Sequence, residues 1–446
     1  MDVPGTYRLV LVLVMLGLTL PTCFSMRNDA GHGISTVDTP YGLHLSFGGG
    51  GVVMGSVRCI WATGRRWSPS LNGSAVCRYG LAPDQLHLTS GGLTYTYTAG
   101  NFTGSLHEVT MVSIPRSPGS RVYYQCGSDA AWSDIFNFTI QAENVTTSAN
   151  SSQPWIGVIC DMGVKHSEDT VSSISKAVKQ GNVQAVVHGG DISYANDYDP
   201  SANNAYIWQD YFNEVSHFAA YVPYMTCPGN HEAQFAFAGY LNWLRMPDIS
   251  GSPFYHSFDY MGIHFLMFST EHDFSNGSAQ HGWMVKDLQR AHANRENVPW
   301  IIVIGHRPLY CSDLVLLKRC VEEAPVFRGY IEDLLNLYRV DVYISGHNHQ
   351  YERSYPVYNL TATAKDYVDP KAPVYIVDGA AGCKESIDPS FEPSELVPWR
   401  AHHSDYFERS WLKIRATPKV LQFQLTSSAD DRELDSFEIT RSTVAH

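Results

Sequence analysis

The sequence predicts an antiparallel β-sandwich followed by a larger α/β domain built on a largely parallel central sheet. Three observations predict it. Residues 38–143 break into short runs, in several of which apolar and polar residues alternate. From about residue 150 onward, apolar runs alternate with segments of helical spacing, the order that buries a parallel sheet. The chain has 446 residues, more than one hydrophobic core normally organises, so two domains are expected.

At the start, Arg8 precedes the uncharged run LVLVLVMLGLTL (9–20), and the small and polar residues of PTCFS follow. The run is short for a bilayer span and suits the core of a signal peptide, read as residues 1–25. Seven N-glycosylation sequons, at Asn72, Asn101, Asn137, Asn144, Asn150, Asn276 and Asn359, agree with export. The expected product is a secreted or lysosomal/vacuolar glycoprotein, free of the membrane once the signal is removed.

Nine cysteines fit an oxidising compartment. Cys23 falls in or beside the signal. Cys311 and Cys320 are the first expected disulfide and Cys59 with Cys77 the second, while Cys160 and Cys227 suit buried thiols equally well.

The sandwich strands are expected at YGLHLSF, VRCIWAT, AVCRYG, LTYTYTA, LHEVTMVSI, SRVYYQCG and IFNFTI, separated by breakers such as GGGG, NG and SPGS. This region holds no cluster of potential ligands, which makes it a scaffold or docking module. The polar stretch TTSANSSQ (146–153) reads as a linker.

Beyond it the apolar runs are WIGVIC, AVVHGG, YVPYMTC, WIIVIGH and VDVYISGH. Val171, Ile174 and Val178 share one face of a helix that stops at Gly181, and Phe327, Ile331, Leu334, Leu335 and Tyr338 repeat at helical spacing.

A ligand-type residue follows each run: Asp161 in DMG, Asp191 and Tyr194 in GDISY, Asn230 and His231 in GNHE, His306 in GHRP, and His347 and His349 in GHNH. In open α/β sheets, sites form beyond the carboxyl ends of the strands, so one sheet is expected to gather these groups. Three histidines, two carboxylates, an amide and a phenol exceed the needs of one tetrahedral zinc site and suffice for two metals sharing a carboxylate. The formal net charge of −13 argues against binding nucleic acid or anionic membrane, and leaves a metal to supply the positive centre an anionic substrate requires.

These blocks, with QYERSYPVYN, FSTEHDF, GHRPLYCS, DGAAGC and LDSFEI around them, resemble the purple acid phosphatases of the metallophosphoesterase superfamily. The resemblance spans nearly all of the expected mature chain. It implies a fibronectin type III-like domain at 38–143 and a catalytic metallophosphoesterase α/β sandwich at 150–441.

By matching positions, the resemblance implies that Asp161, Tyr194 and His349 would hold Fe(III), whose hardness favours an anionic phenolate. Asn230, His306 and His347 would hold a divalent iron, zinc or manganese ion, and Asp191 would bridge the two. His231 matches the histidine that contacts phosphate or protonates the leaving group. The chain departs from the resemblance at Val315 and Leu316, where some plant members carry a histidine pair. Arg307 and Arg353 are read as partners of local carboxylates.

The implied activity is an acid phosphatase, a hydrolase that opens small phosphate monoesters by attack of a metal-bound hydroxide. A phosphodiesterase or pyrophosphatase on the same scaffold is the alternative enzyme, and an extracellular binding protein the alternative class. A homodimer is compatible with this reading.

Overall fold

The structure is a computed structural model. It describes residues 38–48, 56–64, 75–114, 117–128, 131–141, 153–198, 204–247, 250–316, 318–387, 390–404 and 407–442. The expected signal peptide, most of the expected linker, and Asn72, Asn144 and Asn150 lie outside these residues.

Among the described residues, two four-stranded antiparallel sheets come first. One orders Tyr41–Phe47, Val57–Thr63, Ser105–Met111 and Leu93–Tyr95; the other orders Leu88–Gly91, Val76–Gly80, Arg121–Gly127 and Phe136–Thr139. Side chains two apart enter one core, with Cys59 and Trp61 from one sheet meeting Cys77, Tyr79, Val122, Tyr124 and Cys126 from the other. The strand Leu88–Gly91 was not among the expected ones, and LTYTYTA is strand only over Leu93–Tyr95.

Cys77 and Cys126 stand opposite each other on paired strands, with Cα atoms 4.1 Å apart, and form a disulfide. This corrects the expected Cys59–Cys77 pair. Cys59 projects from the facing sheet to within 4.8 Å of both sulfurs and remains a thiol, its pKa pushed up by burial. Cys311–Cys320 is bridged as expected, and Cys160 and Cys227 are buried thiols.

The α/β region holds two sheets. The first orders Tyr224–Cys227, Val183–Gly189, Trp155–Ile159, Ser410–Ala416, Val420–Ser427 and Glu433–Thr440, of which the first three are parallel. The second orders His256–Tyr260, Ile263–Met267, Trp300–Ile304, Val342–Ser345, Val374–Asp378, Tyr351–Ser354 and Arg400–His403, with its second to fifth strands parallel.

Alternation explains the layering. Ile302, Ile304, Ile344 and Ile376 join Val158 and Val186 of the first sheet in one core, whereas Ile301, Val303, Tyr343 and Tyr375 meet Leu288 and Ile331 of the covering helices Ala279–Ala293 and Ala324–Leu337. The α/β class is as expected, but the five apolar runs divide between two sheets, three in the first and two in the second. The helix Glu168–Lys179 buries Val171, Ile174 and Val178, and Gly181 follows with φ of 77°.

The two regions lie within one compact unit. The helix Ala205–Ala219 stacks Phe212 on His44 at 4.1 Å, and Leu45 bridges to Pro223. No helix of the described residues is long and apolar enough to cross a membrane.

On the outer strand pair, His264 is buried between Asp259 and Asp287, at 2.6 and 2.9 Å from its ring nitrogens. Burial opposes a charge there, but the two carboxylates outweigh it and push the pKa up from 6.5 to about 9. Stability from this trio is therefore full below pH 6.5 and lost as pH rises through about 9. It amounts to at most about 3 kcal/mol. Thermal denaturation followed across this range is expected to show a fall in wild type that His264→Asn flattens. Parallel curves would remove His264 from the pH response.

Candidate metal centre

Strand ends from both sheets converge. Asp161 follows Trp155–Ile159, Asp191 follows Val183–Gly189, and Asn230 follows Tyr224–Cys227; His306 follows Trp300–Ile304, and His347 and His349 follow Val342–Ser345. Tyr194 lies in the loop after Asp191. The chain turns sharply to deliver these groups: Asp161, Asp191, Tyr194 and His347 all have left-handed backbones, with φ between 52° and 68°. Each costs on the order of 1 kcal/mol for a side chain of this kind, a concentration typical of functional sites.

Two glycines make the approach possible. Gly190, at φ 87°, would drive a Cβ to 2.8 Å from the ring of His306, and a Cβ at Gly346 would lie 2.0 Å from Asp161 Oδ2.

The donors fall into two groups. In the first, the Tyr194 hydroxyl donates to Asp161 Oδ1 at 3.0 Å and lies 3.1 Å from His349 Nε2, which is itself 3.4 Å from Asp161 Oδ1. In the second, His306 Nε2 is 2.9 Å from Asp191 Oδ2 and 3.1 Å from Asn230 Oδ1, and ligand atoms of Asp191, His306 and His347 lie within 4.8 Å of one another. The groups adjoin, since the His347 amide donates to Asp161 Oδ2 at 2.8 Å.

The electrostatics suit cations. Asp191 is fully buried, yet His306 and His231 outweigh that burial and hold its carboxyl below the usual range. Burial and then the neighbouring His306 and arginines hold His347 well below its ordinary pKa. Its Nδ1 is buried with no hydrogen-bond partner among the described residues, an orphan that a metal ion would satisfy. The seven expected ligand residues are thus brought together, and the donor set fits two metal ions.

His231 stands at the edge of this cluster. Its amide donates to Asp191 Oδ1 at 2.8 Å, its ring packs on Tyr194 at 4.1 Å, and its Nδ1 lies 2.9 Å from Asn196 Oδ1 and 3.2 Å from Asp197 Oδ1. Burial opposes its charge, but Asp197 and Asp191 outweigh it and raise the pKa.

Both arginines pair with carboxylates: Arg307 with Glu271 and Glu323, Arg353 with Asp435. Arg307 Nη1 also lies 3.2 Å from His347 Nε2. At the two positions where the sequence departs from the resemblance stand the apolar Val315, 62% exposed, and Leu316.

Glu232 escaped the sequence reading of GNHE. Its buried carboxylate accepts the amides of Asp191, Ile192 and Gly229 at 2.8–2.9 Å, tying two ligand loops together. An acidic residue two places after a ligand was the only sequence signal.

Residues 154–351, which carry all seven of these donors, match the family described as Calcineurin-like phosphoesterase. Residues 40–140 match the Purple acid Phosphatase, N-terminal domain, and residues 372–436 match the Iron/zinc purple acid phosphatase-like protein C.

Acid phosphatase type 7 of Mus musculus is 33% identical over 386 residues, covering 81% of this chain and 82% of that protein. The Homo sapiens protein of the same description is 31% identical over 423 residues, covering 90% and 91%. The purple acid phosphatase PPD1 from yellow lupin (Lupinus luteus) seeds shares the fold, with a TM-score of 0.77 at 22% identity over 91% of this chain and 75% of that one. The chain belongs to the purple acid phosphatase family and is a hydrolase of the acid phosphatase class.

Proposed function

We propose that the protein hydrolyses small phosphate monoesters at a centre of two metal ions, one of them Fe(III). The observation that carries this reading is the pairing of a Tyr194–Asp161–His349 group with an adjoining Asp191–His306–Asn230–His347 group. The first group would hold the ferric ion and the second a divalent iron, zinc or manganese ion, with Asp191 shared between them. When bound, the two ions supply Lewis acidity for the phosphoryl oxygens and an acidified water.

The chain's own residues do the rest. Glu232 fixes the loops that carry Asp191 and Asn230. His231, with Nδ1 held by Asn196 and Asp197, turns Nε2 toward Asp191 Oδ2, 3.7 Å away, where it holds a proton for the departing ester oxygen. In keeping with this reading, residues 38–143 serve as a fibronectin type III-like scaffold and residues 150–441 as the catalytic domain. Asn101, Asn276 and Asn359 are exposed and suit glycosylation of an exported, secreted or lysosomal/vacuolar protein.

Purified, metal-replete protein assayed on an aryl phosphate, a nucleotide monophosphate, pyrophosphate and a diester is expected to prefer monoesters at acidic pH. Preference for the diester or pyrophosphate, or no turnover of any, would overturn it.

A further inference from the structure

The ring of His349 has a partner on each of its two nitrogens. Its Nε2 faces Tyr194 and Asp161, and its Nδ1 lies 3.1 Å from the sulfur of Cys383. Cys383 is a buried free thiol, only 4% exposed.

Its setting is built. The Cys383 amide donates to the carbonyl of Asp161 at 3.0 Å, so one residue grips both His349 and the strand end carrying Asp161. The segment before it is packed without slack: a Cβ at Gly379 would lie 2.1 Å from the carbonyl of Asn348, and one at Gly382 2.9 Å from that of His166. The Ala381 carbonyl accepts from Thr170, and the Lys384 ammonium donates to the carbonyl of Asp197. The sulfur thus has little freedom to leave the imidazole.

We infer that Cys383 is the positioning residue that fixes the tautomer and ring angle of His349, with its sulfur accepting a hydrogen bond from Nδ1–H so that Nε2 presents a lone pair to the cation. This rests on the reading of His349 as an iron ligand. A ligating histidine commonly gives its other N–H to a carboxylate or a carbonyl. Sulfur is a weaker acceptor. His349 is therefore a less basic donor here than it would be beside a carboxylate, and the sulfur tunes the ferric group as well as aiming its ligand.

The test compares Cys383→Ala, Cys383→Val and Cys383→Ser with wild type and His349→Ala, all purified with metal. Iron release to EDTA and the position of the visible absorption band are read beside turnover. Alanine and valine, the latter filling the space without an acceptor, are expected to speed iron release by about 10- to 100-fold and to shift the band. Serine, which keeps an acceptor, is expected to restore retention to within about threefold of wild type.

Wild-type release and band in the alanine and valine variants would overturn the proposal. So would a serine variant no better than alanine, because volume alone would then matter. If His349→Ala itself retains iron as wild type does, the ligand reading fails instead, and the inference with it.

Discussion

Asp191→Asn is expected to lose metal and activity together. Asp191 contacts both His306 and the His231 amide, it is 1% exposed, and it is the proposed bridge. The amide keeps the size of the side chain, so the fold should survive, but it removes the negative charge that offsets two cations in a buried place. With the second cation weakly held, the phosphoryl group loses much of its electrostatic stabilisation, and kcat/KM should fall at least about 100-fold. Metal content and turnover of the purified variant check this. An active variant holding both metals would mean that the bridge lies elsewhere.

Tyr194→Phe should separate colour from catalysis. A phenolate bound to Fe(III) transfers charge to the metal and gives a broad visible band, so the variant should be colourless. Burial and then Asp161 push the Tyr194 phenol well above its ordinary pKa of 10.0, so only a strongly acidic cation would take its proton. Phenylalanine fills nearly the same space against His231, and Asp161, His349 and Asp191 remain. Turnover per bound iron should therefore fall by about tenfold or less, about 1.4 kcal/mol. Visible spectra and turnover on one preparation test it, and a full band in the iron-loaded variant would exclude tyrosine as the chromophore.

Local patterns carried much of this from the sequence. Val57–Thr63 and Tyr41–Phe47 coincide with their predicted strands because a short run rich in β-branched, aromatic and other apolar residues between breakers is a local signal. Glu168–Lys179 was legible because its apolar face and following glycine are local.

Pairings between distant segments were not legible. Nothing near Cys59 tells that Cys77 faces Cys126 across two strands 49 residues apart. Nor does any single apolar run state which of two sheets it will join. LTYTYTA alternates well enough for a longer strand, yet Tyr95 donates to the Asn242 carbonyl and Tyr97 accepts from Trp243. Docking against a distant helix overrides the local pattern there.

The ligand residues stood out because each follows an apolar run that must end at a turn. Glu232 and Cys383 did not, since their roles come from partners about 40 and 34 positions away.

The proposed centre holds two metal ions, at least one of them iron. Metal content per chain, measured by elemental analysis on wild type, Asp191→Asn and Tyr194→Phe prepared identically, tests it most directly. Two metals in wild type, at least one of them iron, with clear loss in Asp191→Asn, is the predicted result. A fully active wild type holding a single metal or no iron would contradict it.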